Sequence, residues 1–327
     1  MRAVVCREEG EPETLVVETQ EPRSLRAGQV RLRVRACGVN YVDALFVQGR
    51  YQIRPPVPFV PGSEVAGEVL EVGEGVEDWT VGDRALASVG LGGYASQVMV
   101  PASSLVRVPD ALSDGQAATM GQSYATAWFA LTRRTTVAEG DWVVALGAAG
   151  GVGLAVIDVA RALGARTVAA ASDDEKVRLC IERGAHSVVN YGTEPDPTTF
   201  KVAVREATGG GADVVVDTVG GPLAEAGLRS LREFGRLVVV GFATGEIPRL
   251  PANQVLLRNR TVLGVDWGAW ALGHPAENAA LMAEVMELAA DGRIRPVEPT
   301  SRPLEDAPVV LRELLDRQVV GKVCLVP

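Results

Sequence analysis

The stretch Asp141–Lys176, DWVVALGAAGGVGLAVIDVARALGARTVAAASDDEK, decides the fold. Its first part, Trp142–Leu146, is a short run of aromatic, valine and aliphatic residues bounded by glycines, which predicts a buried parallel strand. Apolar residues at helical spacing follow a glycine-rich turn and stop at Gly164, a typical residue just beyond a helix C-terminus. A second strand, Thr167–Ala171, comes next. The stretch therefore predicts a strand–turn–helix–strand unit.

The turn Gly147–Gly153, GAAGGVG, has glycines where a phosphate site requires them. A phosphate must approach the N–H groups at a helix N-terminus, and a Cβ on the inner face of the turn would hold it away. Gly150 and Gly153 stand at the second and third positions of the dinucleotide fingerprint, with an alanine at the first. We therefore expect Gly150, Gly151 and Val152 to bind a dinucleotide. The alternative is a tight turn without a ligand.

The residues after the second strand indicate which dinucleotide is bound. A carboxylate at this place accepts hydrogen bonds from the ribose of NAD and would repel the additional phosphate of NADP. Here Ser172 follows the strand and Lys176 lies four residues further on, so a hydroxyl and a positive charge are available to that phosphate. Asp173 and Asp174 are interpreted as the N-cap and first turn of the next helix. The sequence thus favours NADPH over NADH.

The composition is typical of a globular protein that is long enough for two domains. Of its 327 residues, 47% are hydrophobic and 22% charged, and the net charge of −9 disfavours a nucleic-acid partner. Four dispersed cysteines without a CxxC pair indicate neither a disulfide framework nor a thiolate metal cluster. No signal-like or membrane-spanning apolar stretch is found, so we expect a cytoplasmic protein with no membrane partner.

The rest of the chain divides into two patterns. Before Pro109, short strands are separated by glycine and proline, as in a small, bent β-barrel. From Trp142 onward, strands and helices alternate, and six strands predict a doubly wound parallel sheet. A tail strand is expected to rejoin the first domain. The later predicted elements are a helix over Pro222–Arg232, strands over Arg236–Val240 and Thr261–Val265, helices over Pro275–Asp291 and Leu304–Arg317, and a strand over Lys322–Val326.

Six segments keep one order along the chain: ACGVNYVD (Ala36–Asp43), PGSEVAGEV (Pro61–Val69), VGDRAL (Val81–Leu86), GAAGGVG (Gly147–Gly153), GAHSVVNY (Gly184–Tyr191) and GKVCLV (Gly321–Val326). Together they resemble the quinone oxidoreductase branch of the medium-chain dehydrogenase/reductase superfamily, the relatives of zeta-crystallin. The resemblance implies an α/β fold, with a Rossmann doubly wound parallel sheet and a GroES-like β-barrel catalytic domain. It assigns residues 1–117 and 292–327 to the catalytic domain and 118–291 to the NADPH-binding domain, and it implies a homodimer.

The same resemblance bears on zinc. Zinc-dependent relatives bring Cys, His and Cys to a catalytic metal, whereas this chain has Asn40, Ser63 and approximately Gln122 at the matching places. These side chains are not a soft ligand set for zinc. His186 and His274 are the only histidines in the chain, and both are interpreted as structural. We therefore expect no metal site.

The resemblance also implies site residues. Asn40 and Thr126 would contact the nicotinamide end, and Tyr51 would line the substrate cleft or donate a proton, which makes these three the candidate catalytic residues. The alternatives are that Asn40 is a turn residue, that Thr126 packs at a helix start and that Tyr51 fills a loop. The other residues implied to bind the coenzyme are Ser172, Lys176, Tyr191 and Arg317 at the adenosine phosphate, and Gly241 and Phe242 after the fifth strand of the sheet.

The chemistry that fits these residues is hydride transfer from NADPH without a metal. A quinone or similar conjugated carbonyl suits such a site, because the product anion is already delocalised. The leading interpretation is an NADPH-dependent quinone oxidoreductase. Two alternatives stay open: an enoyl or enal double-bond reductase of the same superfamily, and an NADPH-binding protein with little turnover.

Overall fold

Fifteen strands and ten α-helices make up the chain, which a computed structural model describes over residues 1–327. The helices are α1 (Tyr41–Val47), α2 (Asp114–Phe129), α3 (Gly151–Ala162), α4 (Asp174–Glu182), α5 (Pro197–Ala207), α6 (Gly221–Ser230), α7 (Ala252–Leu256), α8 (Trp267–Gly273), α9 (Pro275–Ala290) and α10 (Ala307–Leu315). None of them combines the length and the apolar character that a membrane span requires.

The strands group into three sheets. They are β1 (Arg2–Val5), β2 (Val16–Thr19), β3 (Gln29–Gly38), β4 (Glu64–Val72), β5 (Arg84–Ser88), β6 (Gln97–Pro101), β7 (Leu105–Arg107), β8 (Trp142–Leu146), β9 (Arg166–Ala171), β10 (Ser187–Asn190), β11 (Ala212–Asp217), β12 (Leu231–Val239), β13 (Thr261–Gly264), β14 (Thr300–Pro303) and β15 (Val323–Val326).

Two units divide the chain. The first consists of Met1–Gln122, Met282–Asp291 and Pro296–Pro327, and the second of Ser123–Leu281 and Gly292–Arg295. We propose that they correspond to the catalytic and coenzyme domains expected from the sequence.

The second unit is built on a six-stranded sheet in the order β10-β9-β8-β11-β12-β13. All of its neighbouring strands run parallel. The central strands are rich in buried valine, as expected when helices cover both faces of a parallel sheet. The sheet order changes direction at β8, so the predicted doubly wound sheet is confirmed.

The first unit is built on a seven-stranded sheet in the order β14-β15-β3-β4-β5-β7, with β6 also paired to β3. The tail strand β15 lies antiparallel to β3, with Leu325 opposite Cys37. Tail residues such as Leu304 and Leu311 are fully buried in the same core as Leu32. The tail therefore rejoins the first unit, as the sequence predicted.

The glycine-rich turn joins β8 to α3. Gly150 is the N-cap of α3, and its extended backbone has φ −81°. A Cβ on Gly153 would overlap Gly147 O and come within 2.6 Å of Ala148 Cα, whereas a Cβ on Gly150 would meet only Gly147 O, at 3.5 Å. Gly153 thus sets the approach of the helix to the strand, while Gly150 leaves the space above the turn open.

Two predicted helices were wrong in detail, and the short helices α1, α7 and α8 were not predicted. The helix predicted to reach Arg232 ends at Ser230, because buried Leu231 already pairs with Ala212 as the start of β12. The helix predicted from Leu304 begins instead with a 3₁₀ turn, and α10 starts at Ala307 with Pro308 in its first turn, where proline has no hydrogen bond to lose. Helix α1 was missed, since seven residues are too few for a periodic pattern.

We expect Gly153→Ala to lower the free energy of unfolding by about 1–3 kcal/mol, because the added methyl group forces α3 away from the turn. Gly150→Ala is the matched control and should change it by less than about 1 kcal/mol. Urea unfolding of both coenzyme-free variants measures the difference. Equal destabilisation would contradict the packing role assigned to Gly153.

Candidate functional site

A buried set of polar side chains lies inside the first unit. Asn40 directly precedes α1, Ser63 and Glu64 stand at the start of β4, Gln122 lies in α2, and Lys322 directly precedes β15. We call these five residues the polar cluster. Segments far apart in the sequence thus deliver their polar groups to one place in the sheet.

Hydrogen bonds link every member of the polar cluster. Asn40 Nδ2 donates to Glu64 Oε1 at 2.8 Å and to Ser63 Oγ at 3.3 Å. Lys322 Nζ donates to Asn40 Oδ1 at 2.8 Å. Ser63 Oγ donates to Gln122 Oε1 at 3.1 Å, and the backbone N–H of Gln122 donates to Glu64 Oε2 at 2.8 Å. Asn40 therefore lies between a cation and an anion.

Burial governs the charges of this cluster. The side chains of Lys322 and Glu64 are 9% and 2% exposed, and Lys322 Nζ lies 3.8 Å from Glu64 Oε1. Burial lowers the pKa of Lys322 and raises the pKa of Glu64, and each group opposes the shift of the other. The pair is thus held together in a site that disfavours either charge alone.

Asp43 and Cys37 flank the cluster in structural roles. Asp43 Oδ2 accepts hydrogen bonds from the Asn40 N–H at 2.8 Å and from the Tyr94 hydroxyl at 3.1 Å, so it stabilises the start of α1. Burial raises the pKa of the Asp43 carboxyl to about 7. Cys37 Sγ donates to Glu64 O at 3.1 Å, and burial raises the pKa of this thiol well above its ordinary value, which argues against a nucleophilic role.

The three residues at the expected zinc-ligand places do lie together, but they do not fit zinc. Asn40, Ser63 and Gln122 offer two neutral amides and a hydroxyl, which bond to one another and to Glu64. Structural and catalytic zinc sites use thiolate, imidazole and carboxylate ligands in tetrahedral sets. No group of three or more His, Cys, Asp or Glu side chains in the chain is arranged to hold a metal ion.

A second set of polar groups follows β9 in the second unit. Lys176 Nζ lies 3.0 Å from Asp173 Oδ2 and donates to Ser172 Oγ at 3.1 Å. Ser172 Oγ donates to Asp173 Oδ2 at 3.1 Å. The Asp173 side chain also accepts from the Lys176 N–H at 2.9 Å, so its interpretation as the N-cap of α4 is confirmed. The hydroxyl and ammonium predicted to meet a phosphate therefore lie side by side.

Further candidates in the second unit follow other strands of the parallel sheet. Tyr191 follows β10 and packs edge-on against Phe200, with 6.3 Å between ring centroids. Gly241 and Phe242 follow β12, where the Gly241 N–H donates to Asp217 O. Because parallel strands end at one edge of a sheet, these residues share that edge with the turn after β8. Thr126 is buried within α2.

Two candidates besides Asn40 belong to the first unit. Tyr51 follows α1, and its ring packs on Phe46 with 4.8 Å between centroids. Arg317 follows α10 with φ 59°, in the left-handed conformation that ends the helix.

Sequence reasoning missed Glu64 and Lys322. Both stand in segments that carry the family resemblance, PGSEVAGEV and GKVCLV, and each is a charged residue next to a run of buried apolar ones. A charge in such a position is rarely buried without a partner. That signal could have identified both residues, but not their shared contact with Asn40.

Comparisons with known proteins agree with this architecture. Residues 26–110 match the alcohol dehydrogenase GroES-like domain, and residues 151–287 match the zinc-binding dehydrogenase family. Quinone oxidoreductase-like protein 2 of Bos taurus is 39% identical over 99% of this chain and 92% of its own length. The second family is named for zinc binding, but the side chains of Asn40, Ser63 and Gln122 in this chain are not zinc ligands.

Two solved structures resemble the whole chain. A mycobacterial protein complexed with NADPH is 32% identical with a TM-score of 0.91, and all of each chain is covered. Escherichia coli quinone oxidoreductase complexed with NADPH is 27% identical with a TM-score of 0.89, again with all of each chain covered. The fold and the similar proteins define this chain as an oxidoreductase that has a GroES-like domain and a Rossmann domain. The chain belongs to the quinone oxidoreductase branch of the medium-chain dehydrogenase/reductase superfamily.

We expect Asp43 to make the free energy of unfolding fall as pH rises from 4 to 7. The folded protein keeps the Asp43 proton up to about pH 7, whereas the group's ordinary pKa is 3.8, so the unfolded chain binds fewer protons in this window. The stability of Asp43→Asn relative to the wild type should therefore increase by up to about 1.4 kcal/mol per pH unit. Urea unfolding across this pH range measures it.

Asp83→Asn is the control. The N–H of Thr80 donates to the Asp83 carboxylate and lowers its pKa, so its contribution is lost as pH falls rather than as pH rises. Above its ordinary pKa of 3.8 the Asp83 carboxyl is ionised in the folded and the unfolded chain, so the stability difference between Asp83→Asn and the wild type should stay nearly constant from pH 4 to 7. Curves for Asp43→Asn and the wild type that stay parallel from pH 4 to 7 would contradict the raised pKa of Asp43.

Proposed function

We propose that this oxidoreductase uses NADPH to reduce a quinone or a similar conjugated carbonyl by hydride transfer without a metal. The observation that carries the proposal is the pairing of Ser172 with Lys176 at the end of β9. On the same sheet edge, the open turn at Gly150 precedes the N-terminus of α3. The NADPH complexes of two similar proteins support the choice of coenzyme.

The residues of the second unit fit a dinucleotide phosphate. The first N–H groups of α3 have no partner within the helix, and the helix dipole favours an anion there. Gly150 adds no Cβ above them, so a pyrophosphate can reach Gly151 and Val152. Lys176 and Ser172 would then share a further phosphate, with Asp173 as the competing partner of the ammonium.

The chemistry proposed for the chain is positioning and charge stabilisation. NADPH supplies the hydride when bound. The roles implied for Asn40 and Thr126 at the nicotinamide end, and for Tyr51 beside the acceptor, are kept as proposals, as are those of Tyr191, Gly241, Phe242 and Arg317. A quinone spreads the incoming negative charge over its ring, so neutral donors such as amides suffice where a simple ketone would require stronger polarisation.

The assembly is proposed from the family resemblance, and the location and partners from the composition of the chain. We propose a homodimer in the cytoplasm, with a small-molecule electron acceptor and neither nucleic acid nor membrane as a partner. The net charge of −9 supports the absence of a nucleic-acid partner.

A panel of acceptors tests the proposed reaction. Quinones, enals and enoyl thioesters are each assayed with NADPH and with NADH, and absorbance at the nicotinamide band is followed. Faster loss with NADPH and a quinone supports the proposal. Turnover restricted to enals or enoyl thioesters would assign a double-bond reductase, and tight NADPH binding without loss would assign a binding protein. A preference for NADH of about tenfold or more would refute the role of Ser172 and Lys176.

We expect Asp173→Asn to tighten NADPH binding about fivefold, corresponding to ~1 kcal/mol. The substitution removes the negative charge that pairs with Lys176, but an asparagine still serves as the N-cap of α4. The affinity for NADH should not increase by more than about twofold, since NADH carries no additional phosphate. Fluorescence titration with both coenzymes gives the Kd values.

Asp196→Asn is the matched control. Asp196 is the N-cap of α5 and accepts a hydrogen bond from the Thr199 N–H at 2.8 Å, so it has on α5 the capping role that Asp173 has on α4. Its substitution should leave both Kd values unchanged. An equal gain for NADPH and NADH in Asp173→Asn would show that Asp173 does not discriminate the phosphate.

A further inference from the structure

We propose that Lys322 and Glu64 are positioning residues that hold the side-chain amide of Asn40 in one orientation. The inference rests on the proposed function, in which Asn40 contacts the nicotinamide end of the coenzyme. It adds a role for two buried charged residues that neither the sequence motifs nor the coenzyme site explains.

The orientation of the Asn40 amide is decided by charge. Its Oδ1 accepts from the Lys322 ammonium at 2.8 Å, and its Nδ2 donates to the Glu64 carboxylate at 2.8 Å. An amide rotated by half a turn would face its NH₂ group to the ammonium and its oxygen to the carboxylate, and both contacts would be repulsive. One orientation is thus strongly preferred.

The environment strengthens this preference. Lys322 and Glu64 are shielded from water, so their interactions with the amide are weakly screened. Lys322 Nζ has one further acceptor, Val39 O, at 3.4 Å, and its contact with Glu64 is longer than its bond to Asn40. The shortest polar contact of this buried lysine is therefore the one to the Asn40 side chain.

The orientation determines what a ligand meets. Asn40 is half-buried, whereas the two charged groups behind it are inside the core. Both Nδ2 hydrogens of Asn40 are used by Glu64 and Ser63, so a coenzyme N–H or hydroxyl that reaches Asn40 encounters the second lone pair of Oδ1, held in one place. A group held in advance in this way pays no reorganisation when hydride is transferred.

The first test uses the coenzyme-free protein and needs no turnover. The Asn40 side-chain NH₂ signal in an ¹⁵N-labelled sample is assigned by its loss in Asn40→Ala. We expect it to be shifted from the range of exposed asparagines and to exchange slowly with water. In Lys322→Met it should move toward that range and exchange faster. An unchanged signal in Lys322→Met would overturn the proposal.

The matched control is Arg31→Met. Arg31 is a buried cation of the same sheet, with a side-chain exposure of 9% equal to that of Lys322, and it pairs with Glu71 at 2.9 Å away from the cluster. This variant should lose stability because a buried side chain that bonds to Arg23 O and Glu71 is removed, although water can reach the Glu71 carboxylate, whose side chain is 54% exposed. It should leave the Asn40 signal unchanged. A shift of that signal in Arg31→Met would mean that general loosening, not Lys322, explains the effect.

The second test is a double-mutant cycle on turnover with a quinone. We expect Asn40→Ala and Lys322→Met each to lower kcat by about 10- to 100-fold, while the Kd for NADPH changes less than about threefold. The double variant should be no slower than Asn40→Ala, because Lys322 acts through Asn40. Losses that multiply in the double variant, or an equal loss of kcat in Arg31→Met, would overturn the proposal.

If Lys322→Met does not fold, Glu64→Gln takes its place in both tests. It preserves the side-chain shape and removes only the negative charge that faces the Asn40 NH₂ group. The NH₂ signal should again shift and kcat should fall by about 3- to 10-fold, and an unchanged signal in Glu64→Gln would overturn the proposal. Failure of the wild type to reduce any acceptor would refute the proposed function, while the signal of Asn40 still decides the positioning role.

Discussion

The second unit depends on the close packing of α3 against the turn that follows β8. At Gly153 a single methyl group would overlap the backbone of the turn. With hydrogen there instead, the helix starts directly at the sheet edge, and its first N–H groups point to the space in front of the strands. The ends of β9, β10 and β12 reach the same edge because the strands are parallel. One packing contact thus brings the first N–H groups of α3 to the same edge as the residues that follow other strands.

The first unit depends on a different constraint, because it buries two charged side chains, Lys322 and Glu64. Lys322 and Glu64 could not both be buried without neighbours that satisfy them, and Asn40 lies between them as a shared partner. Neutral residues stand where zinc-dependent relatives carry metal ligands. Asn40, Ser63 and Gln122 belong to a hydrogen-bond network that includes Lys322 and Glu64. In the proposed function, positioning rests on the oriented dipoles of this network.

Much of the fold could be predicted because its patterns are local. The strand Trp142–Leu146 and the start of α4 at Asp174 were predicted without error, since glycine boundaries and capping residues act over a few positions. The helix after β11 was predicted two residues too long, because the pairing of Leu231 with Ala212 depends on a distant segment. In the site, Ser172 and Lys176 lie side by side because Asp173 caps α4 between them. The sequence predicted that both would meet a phosphate, but not that they bond to each other.

The sequence by itself determined the doubly wound sheet, the glycine-rich turn and the residues that follow β9, because backbone conformation and helix periodicity are properties of neighbouring residues. Only the tertiary structure decided that Lys322, from the tail of the chain, meets Asn40 and Glu64, from its beginning. That contact is made by the pairing of β15 with β3. The sequence predicted that the tail strand rejoins the first unit, but the register that brings Lys322 to Asn40 depends on the burial of a whole core, which no short pattern in the chain encodes.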